Sequence, residues 1–297
     1  MRLKWFSRGI AALATVSIAL AAPAQAKGLG GHPAMWKLSD RDTTIYLFGT
    51  FHLLPQGKAW RTAQFDKALA AAGELVMEVP NVDDPQAVAE ATTKLGVFAD
   101  LPPVTERVPA NMKAKLAAMI DEAGLPVGGL DRYKTWFAAL ALFSVTFKRL
   151  GLAPNSGVES NISGPFRAAG KPVSGLETLE EQFGFFDHLS EDSQRKFLVA
   201  VLDSPEETKK QFAEMLAAWS NGDLAGIARS FDDETQMSAE LRQVLMAQRN
   251  ARWADWLKAR MEKPGVVFVA VGAGHLAGKD SVEAMLEARG LKVQRVQ

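Results

Sequence analysis

Two runs rich in β-branched and aromatic residues, Thr43 to Phe48 and Val266 to Val271, stand near opposite ends of the chain, and almost everything between them carries helical patterning. Strand-forming segments so far apart in sequence share one core only if the intervening helices pack on or beside the sheet that joins them. The expectation is an α/β fold: a mostly parallel sheet core formed by N- and C-terminal strands, with a large helical insertion or lid over about 84–262. Thr62 to Ala72 has Phe65, Leu69 and Ala72 on one helical face, Gly73 ends it, and Glu74 to Val79 returns to extended composition before Pro80. Strand, loop, helix and strand in that order are most simply a right-handed βαβ crossover in a parallel sheet. Helices are expected from Asp84 to Leu150 with breaks at Pro102, Pro103, Pro109 and Pro126, over Val158–Ala169, and from Leu179 to Met261 with a turn at Trp219 to Asp223. Lys171 to Leu176 reads as a short strand, and the chain closes with a helix over Ser281–Ala288 and a strand over Leu291–Val296.

The N-terminus reads as a secretory signal peptide over 1–26. Arg2, Lys4 and Arg8 precede an apolar run from Ile10 to Ala22, and Ala24-Gln25-Ala26 supplies the small residues of a cleavage site. At about 13 residues the apolar run is shorter than the roughly 20 needed to span a bilayer. Removal of this leader takes three of the 34 basic residues and none of the 34 acidic ones, leaving a net charge of −3. Such a balance argues against a nucleic-acid or anionic-membrane partner. The chain contains no cysteine, so neither a disulfide nor a cysteine-linked lipid is possible. A soluble periplasmic protein is expected, one domain over 27–297, stabilised by its hydrophobic core. The apolar stretch Trp136 to Phe147 is too short to cross a membrane and reads as a buried helix.

The candidate chemistry lies at strand ends. The first core strand runs into Gly49-Thr50-Phe51-His52 and the later one into Gly272-Ala273-Gly274-His275, so two Gly-x-x-His loops each follow a core strand. Ligands of open α/β sheets gather at the carboxyl ends of strands, where the two histidines could converge. Glu78, just before Pro80, would project toward the same edge. Two imidazoles and a carboxylate suit zinc, manganese, cobalt or iron, and the absence of thiols argues against a closed structural site. Gly272, Gly274 and Gly278 resemble a phosphate-binding loop, but only one short strand follows, and it carries no acid for a ribose, which argues against a nucleotide. His32 and His188 sit in polar surroundings and carry no assignment.

Several segments together resemble the TraB/GumN family, which includes the Tiki metalloproteases and is related to the ChaN and erythromycin-esterase proteins. They are Leu47 to Pro55, Val76 to Pro80, Gly175-Leu176-Glu177-Thr178 with Gln182, Arg249-Asn250 with Trp253, and Val269 to Gly278. The resemblance covers about Trp36 to Val296 and implies a metal-dependent hydrolase, with protease activity in the Tiki branch. Carried over, it puts His52, Glu78 and His275 at the metal, with Glu78 as third ligand or general base. It also makes Arg249 a catalytic group and Gly49, Gly272, Glu177 and Asn250 its supports. The implied cofactor is a divalent ion (Mn, Co or Zn), and the implied partner is a peptide or other small hydrolysable substrate. Arg249 could hold a substrate carboxylate or stabilise an oxyanion; the alternative is a salt bridge to a helix acid such as Asp255 or Glu240. The rival function is a non-catalytic periplasmic haem- or metal-binding protein, or an accessory factor in exopolysaccharide production.

Overall fold

A computed structural model describes residues 31–82, 84–98, 100–152, 156–202, 204–232 and 238–297. The signal peptide read over 1–26 lies outside the described residues. Six strands form one sheet: β1 (Met35–Ser39), β2 (Thr43–Thr50), β3 (Glu74–Met77), β4 (Val173–Gly175), β5 (Gly265–Gly272) and β6 (Gln294–Arg295). Their order is β4-β3-β5-β2-β1-β6. The three pairings from β4 to β2 are parallel, and β1 pairs antiparallel with β2 and with β6. The expected α/β architecture with a mostly parallel sheet is therefore the one observed.

The helices are α1 (Ala63–Ala71), α2 (Pro85–Ala91), α3 (Lys113–Glu122), α4 (Thr135–Arg149), α5 (Val158–Ala168), α6 (Leu179–Asp187), α7 (Glu191–Ala200), α8 (Pro205–Ser220), α9 (Leu224–Asp232), α10 (Ala239–Arg242), α11 (Gln248–Arg260) and α12 (Val282–Ala288). Thr62 caps α1 by accepting from the Phe65 amide, and Ser281 caps α12 by accepting from the Ala284 amide. The buried helix expected over Trp136–Phe147 is α4, with Trp136, Ala138, Ala139, Leu142 and Val145 inside and Phe143 exposed. Among the described residues no helix is long and apolar enough to cross a membrane.

Strand alternation builds the core on both faces of the sheet. Phe48, Leu75, Met77, Phe268 and Ala270 pack on one side with Phe65 of α1, Val158 and Ile162 of α5 and Trp219 of α8. Ile45, Leu47, Val76, Val267, Val269 and Val271 pack on the other with Trp253 and Leu257 of α11 and Val282 and Leu286 of α12. A third cluster unites α3, α4 and α7 around Leu116, Leu142 and Leu198.

Three details depart from the expectations. Strand β1 precedes the first expected strand, in a segment assigned no element from the sequence; Met35, Trp36 and Leu38 are buried there, where β2 pairs beside them. Strand β5, from the far end of the chain, lies between β2 and β3, so the two strands of the crossover are parallel without being neighbours. The last strand, expected over Leu291–Val296, narrows to Gln294–Arg295. With β5 placed centrally, the Gly272 loop emerges between the ends of β2 and β3.

Candidate functional site

Each Gly-x-x-His loop begins with a glycine that the packing requires. A β-carbon on Gly49 would meet Ala273 Cα at 3.1 Å, so the end of β2 can approach the second loop only without one. A β-carbon on Gly272 would lie 3.0 Å from Glu78 Oε1, 3.5 Å from His52 Nε2 and 3.7 Å from His275 Cδ2. His52, Glu78 and His275 therefore surround the space that the missing Gly272 side chain leaves. Glu78 follows β3 directly, and its Oε1 accepts the Gly272 amide at 2.6 Å.

His275 is buried on a 3-10 turn (Ala273–Leu276), its ring 4.4 Å from that of Trp253. Asn250 donates its amide to Asp280 O at 2.7 Å, so its Oδ1 faces the histidine and accepts from Nδ1 at 2.6 Å. That leaves Nε2 without a hydrogen, and it accepts from Arg249 Nη1 at 3.1 Å. Burial pushes the His275 pKa down to about 3, so the ring is neutral at neutral pH, and its 3.7 Å approach to Glu78 is not an ion pair.

His52 lines a cavity, and 69 % of its side chain is accessible. Its Nδ1 is 2.7 Å from Glu159 Oε1, and this carboxylate raises the His52 pKa to about 9. Burial pushes the Glu78 carboxyl up, but Arg249, the two histidines and the Gly272 amide outweigh it and hold the pKa at about 2. A carboxylate so weakly basic suits cation binding better than proton abstraction.

Arg249 projects from α11, which continues α10 through a π-helical turn (Gln243–Ala247). Its five N–H groups are all engaged. Nε and Nη2 meet the Glu177 carboxylate at 2.8–3.0 Å, Nη2 also reaches Glu78 Oε2 at 2.8 Å, and Nη1 donates to Leu245 O and His275 Nε2. Glu177 precedes Thr178, the N-cap of α6, whose capping box with Glu181 sets where that helix starts. Arg252 and Trp253 also donate to Glu177.

Arg249 is thus paired with acids of the site, and the helix-acid alternative fails: Asp255 pairs with Arg289, and Glu240 accepts from Ser190 and Ser193. The guanidinium is 5 % exposed and its N–H groups contact Glu78, Glu177 and His275.

Among the described residues no three His, Asp or Glu side chains stand ready to hold a metal ion as they are. Nε2 of His275 is engaged by Arg249 Nη1, and the atom of that ring nearest the Gly272 space is the carbon Cδ2. The donor chemistry nonetheless fits a divalent cation. His52 Nε2 and Glu78 Oε1 border the Gly272 space, and both histidines have Nδ1 held by an oxygen acceptor, the arrangement that orients ligating imidazoles.

Glu159 was not singled out by the sequence. As the second residue of α5 it reads as an ordinary favourable charge at a helix N-terminus; the close approach of Gly157, two residues earlier, to His52 O is visible only in the fold. Gln182 and Glu159 line, with His52 and Glu78, a cavity of about 780 Å³ whose far wall is Leu140 and Phe147 of α4.

A model of the TraB/PrgY/gumN family matches residues 34–295. The chain is 27% identical to the uncharacterized protein YbaP of Escherichia coli (strain K12), over 82% of this chain and 87% of that protein. It is likewise 27% identical to YbaP of Shigella flexneri, over 81% and 87%. An uncharacterized protein of Treponema pallidum (strain Nichols) is 21% identical over 54% of this chain and 52% of its own length. No solved structure matches. By its strand-end motifs and by the extent of the match, this chain belongs to the TraB/PrgY/gumN family.

Proposed function

We propose that this protein is an exported metal-dependent hydrolase acting on peptides. The observation that carries the reading is the convergence of His52 Nε2, Glu78 Oε1 and the His275 ring on the space beside Gly272, at the wall of a large cavity. His52, Glu78 and His275 would hold the ion. What a divalent ion supplies when bound is water of lowered pKa and a polarised scissile carbonyl.

The charge of the site favours a cation. Glu78, Glu159 and Glu177 bring three carboxylates to the site, against Arg249, Arg252 half in solvent, and His52, whose raised pKa makes it a cation at neutral pH in the metal-free protein. A divalent cation bound at His52 Nε2 would take the place of that proton among the same carboxylates. Glu78, held ionised, serves as a ligand; Arg249 keeps one of its oxygens occupied and leaves Oε1 turned to the Gly272 space. The cavity selects substrate through apolar walls, with Leu53, Val79, Val82, Leu140 and Phe147 suited to an apolar side chain beside the scissile bond.

The test is metal analysis of the purified protein together with hydrolysis of fluorogenic peptides before and after chelation. We expect one divalent ion per chain, absent from His52→Ala, and cleavage that Mn, Co or Zn restores. Metal or haem bound without any turnover would replace the hydrolase with a carrier. No divalent ion and no metal-stimulated cleavage would overturn the reading.

A further inference from the structure

The first turn of α5 is fastened to the His52 loop by backbone contacts. The Val158 amide donates to Phe51 O at 3.1 Å, and the Leu54 amide donates to Ser156 Oγ at 3.2 Å. Gly157 sits so close that a β-carbon there would fall 2.0 Å from His52 O. Val158 and Ile162 are fully buried beneath this turn. The place of Glu159 is therefore set by the backbone on both sides of the contact, and its carboxylate, 18 % exposed, meets Nδ1 of His52 at 2.7 Å. Beside it the buried Thr50 hydroxyl finds no hydrogen-bond partner of good geometry, although it lies toward Glu159 and helps lower its pKa.

A neutral imidazole has two tautomers, and only the form with its hydrogen on Nδ1 offers a lone pair at Nε2. A carboxylate accepts a hydrogen bond and cannot donate one when ionised, so at Nδ1 it enforces that form. The same contact opposes a flip of the ring that would turn a carbon toward Glu78. We infer that Glu159 is a positioning residue: it fixes the His52 tautomer and ring orientation so that Nε2 is the atom offered to a metal ion beside Glu78. Asn250 does the same for His275 with a neutral amide; Glu159 does it with a charge, which adds attraction for the cation. The inference rests on the reading of His52 as a metal donor.

The experiment compares the wild type with Glu159→Ala and Glu159→Gln in two measurements. One is the nitrogen-15 spectrum of the His52 ring in the metal-free protein, at a pH high enough to leave the ring neutral. The other is calorimetric Zn²⁺ affinity. The wild type should carry its hydrogen on Nδ1. Glu159→Ala should move the hydrogen largely to Nε2 and weaken Zn²⁺ binding by about 10- to 100-fold. Glu159→Gln, whose amide oxygen still accepts, should keep the tautomer and lose less affinity, a rescue that a merely structural role would not give. Circular dichroism checks folding, and Glu159→Leu, close in size and unable to accept, replaces the alanine variant if that one unfolds. An unchanged tautomer without Glu159, or unchanged Zn²⁺ affinity, overturns the inference. A wild type that binds no Zn²⁺ or Mn²⁺ overturns the metal reading instead, while the ring spectrum still decides whether Glu159 sets His52.

Discussion

Single atoms decide what the site can hold. Gly272 has an extended φ of −51°, which any residue adopts, so its glycine is required by space alone. Gly272→Ala puts a methyl group 3.0 Å from Glu78 Oε1 and 3.5 Å from His52 Nε2, where neighbours need move only a few tenths of an ångström. The backbone tolerates it; the ion would not. We expect Gly272→Ala to abolish metal binding and turnover while changing stability by less than about 1.5 kcal/mol, since overpacking by one methyl at a cavity wall is mild. Calorimetry with Zn²⁺ and urea denaturation measure the two effects, and full metal affinity in the variant would place the ion elsewhere. Arg249 is the counter-case: a fully engaged buried cation, which the sequence alone could assign only to a substrate or a surface salt bridge.

At the scale of elements, helix starts carry the side chains that matter. The second residue of α5 orients His52, and the residue before the N-cap of α6 holds Arg249. The second residue of α12, Glu283, has no such partner: burial raises its pKa to about 7, and its Oε2 makes no hydrogen bond. Unfolded, this carboxyl ionises near 4.5, whereas the folded protein keeps it protonated until about 7. Below 4.5 both states are protonated and nothing is lost. Between these values the unfolded chain sheds a proton that the folded chain retains, so stability falls with rising pH and stays reduced above 7. Glu283→Gln should therefore stabilise the protein by about 1 to 3 kcal/mol at pH 8 and leave it unchanged at pH 4. Urea titrations at both pH values decide; equal effects at both would show that the carboxyl's ionisation plays no part.

For the whole molecule, stability without disulfides comes from apolar packing on both faces of the sheet and within the α3, α4 and α7 cluster. The same chain begins with a basic, then apolar, then small-residue pattern that we propose directs export to the periplasm. The mature protein is expected to begin at Lys27. Intact-mass measurement on a periplasmic extract tests it, and a full-length chain in the membrane fraction would refute both cleavage and solubility.

By itself the sequence determined the class of fold and the placing of two Gly-x-x-His loops and Glu78 at strand ends. The β-branched and aromatic run Thr43–Phe48, the continuous apolar run Val266–Val271, glycine stops and helical spacing are local signals, set by backbone geometry and readable residue by residue. The two histidines and Glu78 were legible because each sits at or just past a strand end. Tertiary structure alone decided the rest. The edge strand β1 is buried only because β2 pairs with it, and β5 runs between β2 and β3 for reasons of packing that no local pattern records. The partners of the site are further still from legible: Glu159 meets His52 across 107 residues, Glu177 meets Arg249 across 72, and Arg249 meets Glu78 across 171. A charge in a sequence looks the same whether it ends in water or against another charge; folding brings the pair together and removes the water, and that step sets their pKa values and their use.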